Sequence, residues 1–84
     1  MANIGKIELL NKINDLYVNW QAAAAAEPED REWHESLFWD AVAVLLPQCP
    51  DVDVRRDCDT EVCFFRDGSR IEWSDYRKEY VIDV

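Results

Sequence analysis

Glycine and proline are scarce in this 84-residue chain, which has two of the first and three of the second. Such a composition excludes a disordered linker or a low-complexity protein and favours regular elements joined by short turns. Histidine occurs once, as His34, which leaves a single side chain able to act as a base near neutral pH. No G-x-S-x-G, no glycine-rich phosphate loop and no second histidine of a zincin helix accompanies it. Catalysis therefore has little to stand on, and the chain is expected not to be an enzyme. An apolar run of the ~20 residues needed to span a bilayer is also missing. The N-terminus shows no basic-plus-apolar leader pattern, and a cytoplasmic protein is expected.

Cysteine is present but poorly arranged. Cys49, Cys58 and Cys63 make an odd set, a poor disulfide framework that suggests reduced thiols. With His34 they supply the atoms of a Cys3His zinc site, yet no C-x2-C pair occurs. Asp57, Asp59 and Glu61 loosely suggest a calcium loop, but the glycine and terminal glutamate of an EF-hand are lacking. No metal or cofactor is expected, and a small cysteine-based metal or redox protein is kept as an alternative.

Bases are the other shortage. Nine Lys and Arg face eighteen Asp and Glu, giving a formal charge of −9. Direct binding of nucleic acid is disfavoured, because phosphates call for Lys and Arg to displace counterions. Anionic membrane surfaces are disfavoured for the same reason. A basic protein surface is the natural partner of such a field.

What the chain does have is hydrophobic and aromatic side chains: 49% of residues are apolar, with four Trp, three Tyr and three Phe. These large rings make a compact core reachable in a single small domain, residues 1–84, without metal or disulfide staples. From about Ile4 to Ala26, Leu9, Leu10, Ile13, Leu16, Tyr17 and Trp20 recur at helical spacing, opposite Glu8, Asn11, Asp15 and Asn19. The alanine run 22–26 extends this helix. Pro28, with acids around it, starts a second helix that ends near Leu46, before Pro47. Its main stripe reads as Trp33, Leu37, Ala41, Val44 and Leu45, with Phe38 at the edge.

The period then becomes two. Strands are expected at about 51–56, 61–66, 69–74 and 79–84. Asp67-Gly68 is a two-residue hairpin signal. It pairs Phe64 with Ile71 and Val62 with Trp73 on one face, and Phe65 with Arg70 and Cys63 with Glu72 on the other. Tyr80 and Ile82 are expected to face inward. The expected fold is α+β, with two N-terminal helices packed on one face of a three- or four-stranded antiparallel β-meander.

The acidity is concentrated in two segments. Glu27, Glu29, Asp30, Glu32, Glu35 and Asp40 face Arg31 alone, and Asp51, Asp53, Asp57, Asp59 and Glu61 face Arg55 and Arg56. A solubilising surface and an electrostatic contact face both fit this pattern. A second helical stripe sharpens the choice. Glu32, Glu35, Trp39, Val42 and Leu46 fall at spacings of three and four, and a Trp ringed by carboxylates suits a binding anchor, though it suits a core side chain as well. The candidate partner-binding residues are Glu29, Glu32, Glu35, Trp39, Asp40, Leu46, Asp51 and Asp53. The function expected is that of a non-enzymatic, acidic protein-binding domain. Its most specific form is an inhibitor seated on the basic, nucleic-acid-binding surface of a larger protein, the way of working of phage anti-restriction and anti-CRISPR proteins. The rival is a regulatory or structural homodimer that buries the Trp39–Leu46 helix face.

Overall fold

A computed structural model describes residues 3–56 and 60–84. Helix α1 spans Lys6–Ala26, a 3-10 turn Pro28–Asp30 leads into α2, Arg31–Leu45, and a second 3-10 turn follows at Leu46–Gln48. Four strands complete the chain: β1 Val52–Arg55, β2 Glu61–Phe65, β3 Arg70–Ser74 and β4 Glu79–Asp83. They form one antiparallel sheet in the order β1-β2-β3-β4. The helices pack on one face of this meander, an α+β architecture.

The expected stripe of α1 is the one buried. Leu9 and Ile13 are fully enclosed, and Leu10, Leu16, Tyr17 and Trp20 pack around them. Two polar contacts fix α1 against the sheet. Lys6 reaches the β2–β3 turn, where its ammonium bonds Asp67 and Ser69 and lies 4.8 Å above the Phe65 ring. Asn14 exchanges two hydrogen bonds with the Tyr80 backbone, at 2.9 and 2.8 Å. Because β4 is an edge strand, Asn14 occupies backbone groups that would otherwise be open to another strand.

Helix α2 is rotated from the face its main stripe suggests: of that stripe Ala41 and Leu45 are half-buried, with Leu45 packed against the core, and the edge residue Phe38 becomes central. Phe38 and Val42 are its buried residues, followed in the same line by Leu46 and Cys49. Trp33, Leu37 and Val44 are instead exposed, by 59%, 46% and 65%. Both stripes have helical spacing, so periodicity alone ranks them equally. The inner one wins because it continues past the helix end through Leu46 and Cys49, and because Phe38 joins the rings of α1 and β4. Trp20 stacks on Phe38 at 5.7 Å and Tyr80 lies 6.3 Å away.

The hairpin also differs from expectation, by one residue. Gly68 has φ of +92°, but Asp67 keeps a negative φ, so the type I′ turn implied by Asp67-Gly68 does not form. Gly68 N–H bonds the Phe65 carbonyl and Phe65 N–H bonds the Ser69 carbonyl. This is a three-residue loop closed by a left-handed glycine. The pairs become Phe64 with Arg70 and Cys63 with Ile71, and a bulge between Glu61 and Cys63 brings Glu61 opposite Glu72. A one-residue slip exchanges the faces of a strand. Phe65 therefore enters the core at 2% exposure, while Phe64 moves to the open face under the Arg56 guanidinium. Val62 is buried at the bulge and Trp73 packs against the core, but the expected Val62–Trp73 and Phe64–Ile71 pairs do not occur.

The open face of the sheet carries a row across all four strands: Val54, Phe64, Arg70 and Asp83. Arg70 bonds Glu72 at 3.3 Å and Asp83 at 3.2 Å. The hydrogen bond to Glu72 and the surrounding carboxylates raise the affinity of its guanidinium for its proton. Charge on this face is thus largely balanced within the sheet.

Candidate functional site

The second stripe of α2 divides along its length. Val42 and Leu46 lie against the sheet, and Leu46, 1% exposed, belongs to the core. That burial leaves Leu46 no outward surface, so of the Trp39–Leu46 face only the Trp39 end remains open to a partner. Toward the start of α2 the same stripe reaches the rim of the helix–sheet sandwich. There Trp39 is half-buried, Glu35 is half-buried and Glu32 is exposed.

At this rim the aromatic side chains of three elements converge. Tyr17 and Trp20 come from α1, Phe38 and Trp39 from α2, and Trp73 and Tyr80 from β3 and β4. They enclose, with Arg31, Glu35, Thr60 and Asp75, a cavity of about 360 Å3. Tyr17 is the hub: its ring meets Trp73 at 4.9 Å, Trp20 at 5.5 Å and Tyr80 at 5.8 Å. Phe38 meets Trp39 edge-on at 4.9 Å, and Trp73 meets Tyr80 at 5.2 Å. Edge-to-face contacts of this kind add stability beyond the area buried.

Polar groups sit among the rings. The Trp73 indole donates to Asp75 at 2.9 Å. The Arg31 guanidinium lies 5.3 Å over the Trp20 ring. The Trp20 indole N–H is buried and has no acceptor among the described residues, a costly arrangement for a donor. Of the residues singled out from sequence, Glu35 and Trp39 line this cavity, with Glu32 one turn before Glu35. Tyr17, Trp20, Trp73 and Tyr80 were legible as inward-facing residues, but nothing in their spacing shows that they meet at one end of the sandwich.

The remaining candidates lie elsewhere. Glu29 is exposed on the 3-10 turn before α2, and Asp40 is exposed on the outer side of α2. Asp51 and Asp53 are exposed at the start of β1, where Asp53 pairs with Arg66 at 3.7 Å. Among the described residues, Asp15, Glu29, Asp30, Glu32, Glu35, Asp40, Asp51 and Asp75 form no ion pair, and five of these eight lie on α2 or the turn before it. Other acids do have one: Glu8 with Lys12, Asp67 with Lys6, Glu72 and Asp83 with Arg70, and Glu79 with Arg77. Bonds from the Lys6 ammonium and from Ser69 hold the Asp67 carboxyl well below the usual carboxylate range. Glu27 bonds the His34 ring at 2.9 Å. Uncompensated carboxylate is therefore concentrated along α2 and the turn before it.

A shallower groove of about 510 Å3 lies between the helices, lined by Lys12, Asp15, Leu16, Asn19, Ala41, Val44 and Leu45. Cys49 and Cys63 are buried thiols, not paired with each other. Cys58, Asp57 and Asp59 lie outside the described residues. Among the described residues no group of three His, Cys, Asp or Glu is placed to hold a metal ion, and no helix is long and apolar enough to cross a membrane.

Compared with known protein families, curated proteins and solved structures, the chain matches none of them.

Proposed function

We propose that this chain is a non-enzymatic protein-binding domain that docks its acidic α2 segment on a basic surface of a larger protein. The supporting observation is the uneven pairing of its acids. Bases pair with Asp53, Glu72, Glu79 and Asp83 on the sheet, though not with Asp51 or Asp75, whereas Glu29, Asp30, Glu32 and Asp40 stand exposed and unpaired together among the described residues. Exposed charge of one sign steers encounter with an oppositely charged surface. Where that surface ordinarily holds nucleic acid, the carboxylates take the place of phosphates and the domain is an inhibitor of the anti-restriction or anti-CRISPR type. Trp39 and Glu35 supply the partly desolvated anchor beside that charge.

The proposal is tested with a fluorescein-labelled dodeca-lysine peptide as a generic basic surface. Binding at low salt that weakens steeply as salt rises supports it, since exposed charges are screened beyond ~8 Å at physiological ionic strength. An affinity that does not change with salt contradicts it.

A second reading is favoured by the exposed stripe Trp33, Leu37 and Val44. A monomer has no need of three large apolar side chains in one line on its surface. Self-association through that outer stripe would cover it. Analytical ultracentrifugation at rising protein concentration tests this, and a mass that stays monomeric at high concentration rules it out.

A further inference from the structure

We propose that the aromatic cavity at the rim of the sandwich seats the guanidinium group of an arginine side chain on the basic partner, a step that rests on reading the chain as an acidic protein-binding domain. Four observations converge on this ligand. The cavity wall is built of indole and phenol rings, including Trp20, Trp39, Trp73 and Tyr17, whose π-faces attract cations, the more strongly when water is excluded. Two carboxylates, Glu35 and Asp75, share the lining with one base, Arg31, which favours a cationic guest over an anionic one. The cavity already accommodates a guanidinium, because Arg31 lies 5.3 Å over Trp20. Finally, the unpaired acids lie on α2 and the turn before it, the helix that gives Glu35, Phe38 and Trp39 to the cavity wall, and their charge draws basic segments toward that side.

Arginine fits better than lysine on chemical grounds. A guanidinium is flat, weakly hydrated and stacks on aromatic faces, while an ammonium is compact and strongly hydrated. The incoming group either stacks on Trp39 and Trp73 beside Arg31 or displaces Arg31 from Trp20. In both cases Glu35 is the carboxylate that the helix carrying Trp39 contributes to the cavity lining.

Two labelled peptides of equal charge, octa-arginine and octa-lysine, distinguish a seat in the cavity from a diffuse acidic field. Fluorescence anisotropy with the full chain should give octa-arginine the tighter binding by about three- to tenfold, the size of one cation–π contact. Trp39→Ala should reduce the octa-arginine affinity to that of octa-lysine and leave octa-lysine binding unchanged. Glu35→Gln, isosteric and without consequence for packing, should narrow the gap in the same sense, and circular dichroism verifies that both variants are folded. Equal affinities in the wild type, or an arginine preference that survives both variants, would overturn the cavity as the seat while leaving the acidic docking surface intact. Absence of binding to either peptide at low salt would overturn both.

Discussion

The side chain of Asn14 and the backbone of Tyr80 are joined by two hydrogen bonds, one in each direction, across the gap between α1 and the free edge of β4. One polar side chain in an otherwise apolar helical stripe thus performs the work of a strand. Asn14→Ala leaves a part-buried N–H and C=O without partners, and unfolding in urea should show a loss of about 1–3 kcal/mol. A loss below a few tenths of a kcal/mol would mean that water replaces the amide and that the edge is open.

Phe65 and Phe64 should separate sharply in stability. Phe65 is enclosed beneath α1 with Lys6 over its ring, so Phe65→Ala is expected to cost ~3–5 kcal/mol. Phe64 lies on the open face of the sheet beside Arg56 and Arg70, and Phe64→Ala should cost only about 1 kcal/mol. The reverse order in chemical denaturation would restore the two-residue hairpin register.

The Lys6–Asp67–Ser69 cluster gives stability an acid dependence. The folded chain holds the Asp67 carboxyl below its ordinary value of 3.8. A group more acidic when folded contributes its full stabilisation above its unfolded pKa and loses it as pH falls through the folded value. Thermal melts should therefore show this contribution intact above about pH 5 and declining below about pH 4. Asp67→Asn should lower stability at neutral pH and flatten that acid limb, whereas an unchanged limb would show that the cluster does not hold in solution.

The two stripes of α2 predict opposite outcomes for truncation. Leu46→Ala should cost ~2–5 kcal/mol as a core cavity. Leu37→Ala and Val44→Ala should each stay within about 1 kcal/mol, as exposed substitutions usually do. Equal costs on the two sides would mean that the outer stripe is covered by another molecule in solution.

These contrasts mark what the sequence could and could not convey. Element order, the helix bounds and the meander were legible, because Leu9, Ile13 and Trp20 on one side and Pro28, Pro47 and Gly68 at the breaks act locally. The orientation of α2 was not, because Trp33-Leu37-Val44 and Phe38-Val42-Leu46 have the same period. Only contact with Trp20 and Tyr80, both distant in sequence, selects the second. The hairpin register turned on the sign of one backbone dihedral at Asp67. Glu35 and Trp39 were visible as a pair on α2. The cavity that holds them depends on Tyr17, Trp73 and Tyr80, which only the folded chain brings together.

Under the proposed function, acids on α2, rather than the overall charge of −9, make the contact. Two double variants that raise the net charge equally test it directly: Glu32→Lys with Asp40→Lys on α2, and Glu8→Lys with Asp15→Lys on α1. Binding to the dodeca-lysine peptide at low salt is the measurement. The α2 pair should weaken it by about tenfold or more and the α1 pair by less than about threefold, because charges at a contact outweigh equal charges in the distant field. Equal losses from the two pairs would contradict the account and reduce the acidity to a diffuse, solubilising charge.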